Sequence, residues 1–271
     1  MTDLEKHDTR VPRGMIDPVG TARRIRVERH KPSPRLAPFV DNIWIIEWNL
    51  IGRPPEVQKV LPSPNANLVI GAGQTKLFGV IRGVYGRSLE GAGRVVGLRF
   101  RTGGVRPFLT EPVSSLTDRT VPAQTVTGIH DEATEAQVLG AGDHSATIRA
   151  VEAILYPRLP QPDPAVELVC SIVERARREN GPQQTEALAR EVGLSVRTMQ
   201  RLFREYIGVS PKWVIRRYRL QEAAWRPAQG ANEPLSELAA ALGYFDQAHL
   251  ARDFTRLFGC PPSEYQRSQL P

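Results

Sequence analysis

Apolar residues in the last third of the chain recur at the spacing of amphipathic helices. From Val166 to Tyr265 they fall three or four residues apart, so that one face of each helix would be buried. Gly193 and Gly243 interrupt this pattern, and Ser195 can cap the helix that follows the first interruption. The pattern predicts an all-helical region over residues 166–271, in which two pairs of helices are each divided by a glycine.

One short pattern occurs twice in this region. Each copy has an alanine, a glycine four residues later, and then two apolar residues on the next helix. The members are Ala189, Gly193, Met199 and Phe203 in the first copy, and Ala239, Gly243, Leu250 and Phe254 in the second. A helix, a glycine-containing turn and a second helix form the helix-turn-helix unit, whose second helix can enter the major groove of DNA. The repeat therefore predicts two such units.

A connecting helix is predicted between the two units, from Pro211 to about Arg226. This helix would be about 24 Å long. With the width of the flanking units added, the two recognition helices would lie about 34 Å apart, which is one turn of B-DNA. One chain would then read two successive major grooves. Four basic residues on this helix are candidates for phosphate contacts, although some must instead pair with Glu205 or Glu222. They are Lys212, Arg216, Arg217 and Arg219.

The outer residues of the two recognition helices are the candidates for base contacts. Arginine pairs with guanine and glutamine with adenine in the major groove. The predicted contacts are Arg197, Gln200, Arg201 and Arg204 in the first helix, and Gln247, His249 and Arg252 in the second. Because the second set is less basic, we expect more base readout from the first helix and more positioning from the second. The alternative for both is a solvated polar face.

Between residues 31 and 159 the pattern changes to that of β-strands. Short apolar runs are separated by glycine and proline, and the clearest cover residues 42–48, 67–71, 77–81 and 94–101. They predict an antiparallel sandwich or barrel, and such a barrel can hold one small ligand in its mouth. A metal-binding barrel would need clustered histidines, and none lies between His30 and His130. The chain is thus predicted to be an α+β protein of two domains, without a metal site.

The remaining stretches set the predicted domain boundaries. Residues 1–30 show no sustained periodicity and are predicted to be a disordered basic tail. Asp143 can cap an amphipathic helix that either packs on its own domain or forms a dimer contact. Residues 160–165 contain three prolines and are predicted to be a stiff linker between the β-rich domain and the helical domain.

Composition narrows the function classes. The net charge of +7 favours a polyanionic partner without proving one. Cys170 and Cys260 are the two cysteines, and their spacing fits neither a zinc site nor a disulfide framework. No apolar run reaches the length of a membrane span, and the N-terminus lacks the features of a secretory signal. We therefore expect a cytoplasmic protein without cofactor or membrane contact.

The helical region resembles the AraC/XylS family of bacterial transcription regulators. The first unit carries Leu188-Ala189, Gly193, Ser195, Arg197, Leu202-Phe203, Gly208 and Pro211, and the second carries Leu238-Ala239, Gly243-Tyr244, His249-Leu250, Arg252, Phe254, Phe258-Gly259, Pro262 and Tyr265. The resemblance implies that both recognition helices contact promoter DNA. It implies contacts from Arg197, Gln200 and Arg201 in the first helix, and from Gln247, His249 and Arg252 in the second.

The β-rich region resembles the domain that precedes this module in a group of actinobacterial-type members. The motifs are Leu36-Ala37-Pro38-Phe39-Val40 with Trp44, Leu61-Pro62, residues 96–101 and Leu116-Thr117-Asp118-Arg119. The resemblance implies sensing of a small effector or homodimer formation. The pocket candidates are Trp44, Trp48, Arg82, Tyr85 and Arg99. Core packing is the alternative role for the two tryptophans.

A sequence-specific regulator is the leading hypothesis that these observations support. Its partners would be double-stranded promoter DNA, RNA polymerase and an unidentified small-molecule effector. One alternative is a DNA-reading module fused to an enzyme, such as a repair protein with an acceptor cysteine, but no catalytic constellation is present in the sequence. Another is a ligand-binding protein whose helical module contacts only proteins.

Overall fold

The computed structural model describes residues 25–61, 63–128, 132–178, 180–228 and 234–269. An antiparallel sheet of six strands, in the order β1-β2-β7-β4-β5-β8, and a ribbon of β3 with β6 form the first part of the chain. The strands are β1 (Ile25–His30), β2 (Val40–Leu50), β3 (Glu56–Val60), β4 (Asn67–Ile70), β5 (Lys76–Phe78), β6 (Tyr85–Leu89), β7 (Gly91–Phe100) and β8 (Thr120–Pro122). The predicted β-rich architecture is confirmed.

The first strand corrects the predicted tail. Residues 25–30 pair with β2 in continuous register, from Ile25 opposite Trp48 to His30 opposite Ile43. Every second residue of this strand is charged or a histidine, which hid its apolar positions from a search for apolar runs. The prediction of a disordered tail is therefore wrong for residues 25–30, and residues 1–24 lie outside the described part of the chain.

Three helices follow the sheet, α1 (Gln124–Thr127), α2 (Glu132–Leu139) and α3 (His144–Leu155). The side chain of Asp143 caps α3, as predicted, by accepting a hydrogen bond of 2.7 Å from the Ala146 amide. Val151 and Leu155 on this helix are fully buried in one core with Ile43 and Ile45 of β2. Packing on its own domain, one of the two roles predicted for this helix, is what the structure shows.

The opposite face of the sheet holds the two tryptophans of β2. Trp44 lies beside Gly97 and Trp48 beside Gly93 of the neighbouring strand. A Cβ atom on either glycine would come within 2.2 Å of the indole Cζ2 atom, so both rings lie directly on the sheet. Glycine inside a strand permits such a close approach. Both tryptophans therefore pack against this sheet face.

The second part of the chain is helical and contains both predicted helix-turn-helix units. Its helices are α4 (Pro164–Arg177), α5 (Thr185–Glu191), α6 (Val196–Leu202), α7 (Pro211–Ala228), α8 (Leu235–Ala241), α9 (Gln247–Phe258) and α10 (Pro262–Gln269). Helix α4 begins at Pro164, inside the predicted linker, because Asp163 caps it through the Ala165 amide. The described residues contain no helix that is long and apolar enough to cross a membrane.

The two parts of the chain pack against each other, because two side chains of the first part are buried in the cores of the second. Val80, which follows β5, belongs to the core of the first helix-turn-helix unit, and Leu61, which follows β3, belongs to the core of the second. Polar contacts add to this interface, since Thr117 Oγ1 donates to the Gly208 carbonyl at 2.6 Å and Arg101 forms two contacts with the Glu167 carboxylate. The first domain thus holds both units.

Candidate DNA interface

Helix α6 is the recognition helix of the first unit. Ser195 caps it by accepting a hydrogen bond of 3.1 Å from the Thr198 amide. The helix continues through a π-helical turn over Phe203–Ile207. Met199, Phe203 and Ile207 are fully buried at intervals of four residues, which fixes the orientation of the helix about its axis.

This orientation exposes the four residues that were predicted to contact DNA. Arg197, Gln200, Arg201 and Arg204 are all exposed, and their spacing of three, one and three residues places them on one side of the helix. Within the described part of the chain, no hydrogen bond or ion pair is made by the guanidinium groups of the three arginines. Three positive charges are therefore available on one face of α6.

Glu205, the acidic residue in the π-helical turn after α6, pairs with an arginine of the first domain. Glu205 accepts a hydrogen bond of 2.7 Å from Nε of Arg106 in the first domain. Of the two partners predicted for the basic residues of the joining helix, Glu205 or Glu222, it is Glu222 that pairs with one of them, Arg219. Because the carboxylate of Glu205 lies on the side of α6 that faces the first domain, it does not neutralise the arginine face.

Helix α9 is the recognition helix of the second unit. Asp246 caps it by accepting a hydrogen bond of 2.6 Å from the His249 amide. Leu250, Phe254 and Phe258 are buried below it, and the rings of the two phenylalanines stack with centroids 4.1 Å apart. The same device of a cap and a four-residue apolar spacing therefore orients both recognition helices.

The outer face of α9 carries less charge than that of α6. With the offset of 51 residues that superimposes Met199 on Leu250 (250 − 199 = 51), Arg201 corresponds to Arg252. The other two arginines of α6 have small counterparts, since Arg197 corresponds to Ala248 and Arg204 to Thr255. Arg252 is exposed at the centre of this face. The difference in charge between the two helices thus lies on either side of this shared central arginine.

The other two residues predicted on α9 are at its edges. Gln247 is exposed in the first turn of the helix. The ring of His249 lies edge-on to Tyr244, with centroids 5.1 Å apart, and its Nε2 atom is 3.6 Å from Oδ2 of Asp253. His249 is therefore held against the protein, although its side chain is about half exposed.

Arg216 on α7 forms an ion pair within the protein, and its predicted phosphate contact stays a prediction. Its guanidinium forms an ion pair with Asp253, a carboxylate that is almost fully buried under α9. Burial raises the pKa of the adjacent Tyr244 hydroxyl far above its usual range, and the negative charge of Asp253 raises it further. The group of Arg216, Asp253 and Tyr244 thus joins the connecting helix to the second recognition helix.

Two more arginines predicted to touch phosphate are buried. Arg219 donates to the backbone carbonyls of Ala176 and Arg178 and pairs with Glu222, so it links α7 to the end of α4. Burial lowers the pKa of Arg217 to about 10, and its guanidinium donates to Gln221 at 2.7 Å. The phosphate-contact hypothesis is therefore wrong for both residues. Lys212 is exposed at the start of the helix.

Arg216 could either position α9 through Asp253 or contact a DNA phosphate. If Arg216 positions α9, then Asp253→Ala and Arg216→Ala should weaken binding to specific DNA by a similar factor of about 10, because either change releases the same contact. Both variants should also lower the melting temperature. The measurements are fluorescence anisotropy with the specific DNA and thermal unfolding.

The salt dependence of binding provides the control for Arg216. A phosphate contact would make the slope of log K against log salt concentration about 1 smaller for Arg216→Ala alone. Lys212→Ala is the matched variant on the same helix, with an exposed cation. A lower slope for Arg216→Ala together with an unchanged melting temperature would contradict the positioning role.

Phe245 was missed by the sequence reasoning. It directly precedes the cap of α9, and its side chain is 95% exposed, whereas the other aromatic residues of this unit are buried or half-buried. An aromatic residue in a tight turn directly before the capping residue of α9 was the available signal. Its ring is free to contact another molecule at the end of the recognition helix that would face DNA.

The pocket candidates of the first domain are brought together only in part. Trp44, Trp48 and Arg99 lie on one sheet face, and Tyr85 of the ribbon contacts Phe78 at the edge of that face. Arg82 forms an exposed ion pair of 2.6 Å with Asp118. Its place in a pocket with the tryptophans stays a prediction.

Arg29 also lies on this sheet face, although residues 1–30 were predicted to be a disordered tail. It lies opposite Trp44 in the register of β1 with β2. Burial of part of the side chain lowers the pKa of Arg29, and the positive charge of Arg99 lowers it further. Trp44 is thus placed next to two arginines that repel each other.

The two cysteines are partly buried. Burial raises the pKa of both the Cys170 and the Cys260 thiol. Cys170 Sγ also donates to the Thr102 carbonyl at 3.3 Å, across the domain interface. Because the thiolate is the reactive form, neither residue has the environment of an acceptor cysteine.

Comparison with known proteins gives matches to both domains. Residues 188–268 match a family described as a helix-turn-helix domain, and residues 28–122 match a domain of unknown function (DUF6597). A probable thc operon regulatory protein of Rhodococcus erythropolis is 30% identical over 130 residues, which are 46% of this chain and 39% of that protein. The HTH-type transcriptional regulator GlxA of Rhizobium meliloti is 36% identical over 86 residues, which are 32% of this chain and 26% of that protein.

Among solved structures, an AraC-type DNA-binding domain from Chromobacterium violaceum is 25% identical, with a TM-score of 0.32. That match covers 39% of this chain and 88% of the other. This chain spans less than half of the length of each of the two regulators above. Residues 188–268, with two helix-turn-helix units joined by α7, thus form a helix-turn-helix domain that is similar to these transcription regulators.

Proposed function

We propose that this chain is a sequence-specific transcription regulator that reads two successive major grooves with α6 and α9. The observation that carries the proposal is the exposed face of Arg197, Arg201 and Arg204, whose guanidiniums have no partner among the described residues. Exposed arginines on a capped helix of a helix-turn-helix unit are suited to bidentate contacts with guanine. The buried apolar side of the helix presents all three in one direction.

The two recognition helices have different tasks in this proposal. Helix α6 supplies most of the base readout through Arg197, Gln200, Arg201 and Arg204. Helix α9 anchors the second groove through Arg252, with Gln247 and His249 at its edges. The exposed ring of Phe245 adds an apolar contact, for which a thymine methyl group is the matching feature in the major groove. One chain would thus recognise an asymmetric site.

The first domain is proposed to sense a small effector that carries a negative charge. The site would be the sheet face of Trp44, where Arg29 and Arg99 would bind an anionic group and the indole ring an apolar one. Arg99 also repels the buried Arg217 of α7, an effect that adds to burial in lowering the pKa of Arg217. An anion at Arg99 would relieve this repulsion and favour one placement of α7, which joins the two units.

The remaining partners are part of the same proposal. Promoter DNA is the principal one, and binding to it would place the protein on the nucleoid within the cytoplasm. We include contact with RNA polymerase and pairing of two copies, since a regulator of this class acts at promoters. No catalytic step is assigned to the chain.

Binding to the DNA upstream of its own gene tests this function. We expect at least about 1000-fold tighter binding to a specific fragment than to a shuffled one at physiological salt, which is the lower end for specific regulators. Both affinities should fall as salt rises, because phosphate contacts release counterions. Equal affinity for the two fragments at every salt concentration would contradict the proposal. A thermal-shift screen with DNA, with small anions and with both would separate it from a protein that binds only ligands.

A further inference from the structure

A second cluster of polar side chains lies in the first domain, away from both helix-turn-helix units. Glu28 and His30 are two residues apart on β1 and therefore point to the same face of the sheet. They lie opposite Ile45 and Ile43, whose side chains pack under α3. His144 is the first residue of α3. The edge strand and the helix start thus meet at this cluster.

The ligand atoms of the cluster are close together. Oε2 of Glu28 is 2.6 Å from Nδ1 of His144 and 3.5 Å from Nε2 of His30. One such atom from each of the three residues fits within 4.8 Å of the others. The two imidazole rings are 5.7 Å apart between centroids and are inclined by 66°. Each of the three side chains is about a quarter exposed, so solvent can reach the cluster.

His30 is the residue that a purely structural role does not explain. A hydrogen bond between Glu28 and His144 would suffice to join β1 to α3. The Nε2 atom of His30 is nevertheless buried and has no hydrogen-bond partner among the described residues. A buried polar nitrogen without a partner is costly, and such a group calls for a bound species that would satisfy it.

The neighbouring charged residues leave one oxygen of the Glu28 carboxylate to contact a bound species. Arg26 binds Oε1 of Glu28 at 2.5 Å, so Oε2 is the oxygen that faces the two histidines. Glu47 lies nearby, with Oε2 3.8 Å from Nε2 of His144, and it is shared with Arg94 at 3.3 Å. We therefore assign Glu47 to orienting His144, as carboxylates commonly do for metal-bound histidines.

We propose that Glu28, His30 and His144 bind a divalent transition-metal ion of the zinc class. Two imidazoles and one carboxylate are a known ligand set for zinc, with a fourth position left to water. Bonds of about 2.0–2.2 Å in a tetrahedron separate ligand atoms by about 3.4 Å. The separation of 3.5 Å already fits, and that of 2.6 Å lengthens when a metal ion enters between the two ligand atoms. Magnesium and calcium are excluded by their preference for oxygen ligands.

Titration of the full chain with Zn²⁺ after chelator treatment, followed by calorimetry, tests the site. We expect one ion bound through this site per chain, and at least about 100-fold weaker binding for His30→Gln and for His144→Gln, because each removes one of three protein ligands. Mg²⁺ should give no heat of binding at the same concentration. His249→Gln is the matched control, since His249 also lies beside a carboxylate but belongs to no group of three possible ligands among the described residues.

The proposal is overturned if the wild-type chain does not bind Zn²⁺, or if neither His30→Gln nor His144→Gln weakens the binding. If these variants did not fold, X-ray absorption of the zinc-loaded wild-type protein would decide. A shell of nitrogen and oxygen at about 2.0 Å with two imidazoles supports the site. Sulfur in the shell would point to Cys170 or Cys260 and would overturn it.

Discussion

Replacing Arg197 or Arg201 by alanine is expected to weaken binding to the specific promoter site by about 5- to 150-fold each. This range corresponds to about 1–3 kcal/mol for the loss of one bidentate contact with guanine. Neither guanidinium has to leave an internal partner to reach DNA, so the full contact energy should appear as binding. Preference for the specific sequence should fall together with affinity. Anisotropy titrations with the specific site and with single-base variants of it provide the measurement.

The control for this experiment is a matched arginine in the first domain. Arg149 is an exposed helical residue of α3, and Arg149→Ala should leave the specific affinity unchanged within about twofold. Arg252→Ala should weaken binding but change the base preference less than Arg197→Ala does. A larger loss of base preference for Arg252→Ala would show that the two recognition helices have the opposite division of tasks.

Leu61→Ala is expected to lower the free energy of unfolding by about 2–3 kcal/mol. Although this residue belongs to the first domain, its side chain is buried among Leu220, Leu238 and Phe254 of the second helix-turn-helix unit. Removing a buried leucine leaves a cavity and typically costs about 2–5 kcal/mol, and the position at the edge of this core favours the lower part of that range. The second unit should also lose part of its support from the first domain.

Urea denaturation followed by fluorescence and circular dichroism measures this effect. Val60→Ala is the adjacent control, because Val60 is 38% exposed and should cost less than about 1 kcal/mol. We further expect one unfolding transition for the wild type and a broader or divided transition for Leu61→Ala, because the domains become less coupled. Equal stability of the two variants would mean that Leu61 does not join the domains.

The helices of the second domain could be predicted from the sequence because their signals are local. Caps such as Ser195 act within one turn, and the four-residue spacing of Met199, Phe203 and Ile207 identifies the buried side of α6 without knowledge of any neighbour. The outward direction of Arg197 and Arg201 follows from the same spacing. The DNA contacts themselves remain predictions.

The roles of the arginines on α7 could not be predicted in the same way. This helix packs against several neighbours, so its buried residues are set by what surrounds it. Arg219 is buried because the carbonyls at the end of α4 accept its hydrogen bonds, and Arg216 is engaged because Asp253 lies under α9. Both partners are more than 30 residues away along the chain, and no local spacing indicates them.

The sequence by itself determined the two helix-turn-helix units, the connecting helix and the β-rich character of the first domain, because periodicity, caps and glycines act between near neighbours. Only the tertiary structure decided three other properties. These are the pairing of β1 with β2, the entry of Leu61 and Val80 into the helical cores, and the meeting of His30 with His144. Each depends on contacts between segments far apart in the chain, whose energies appear only when the folded sheet and helices bring them together.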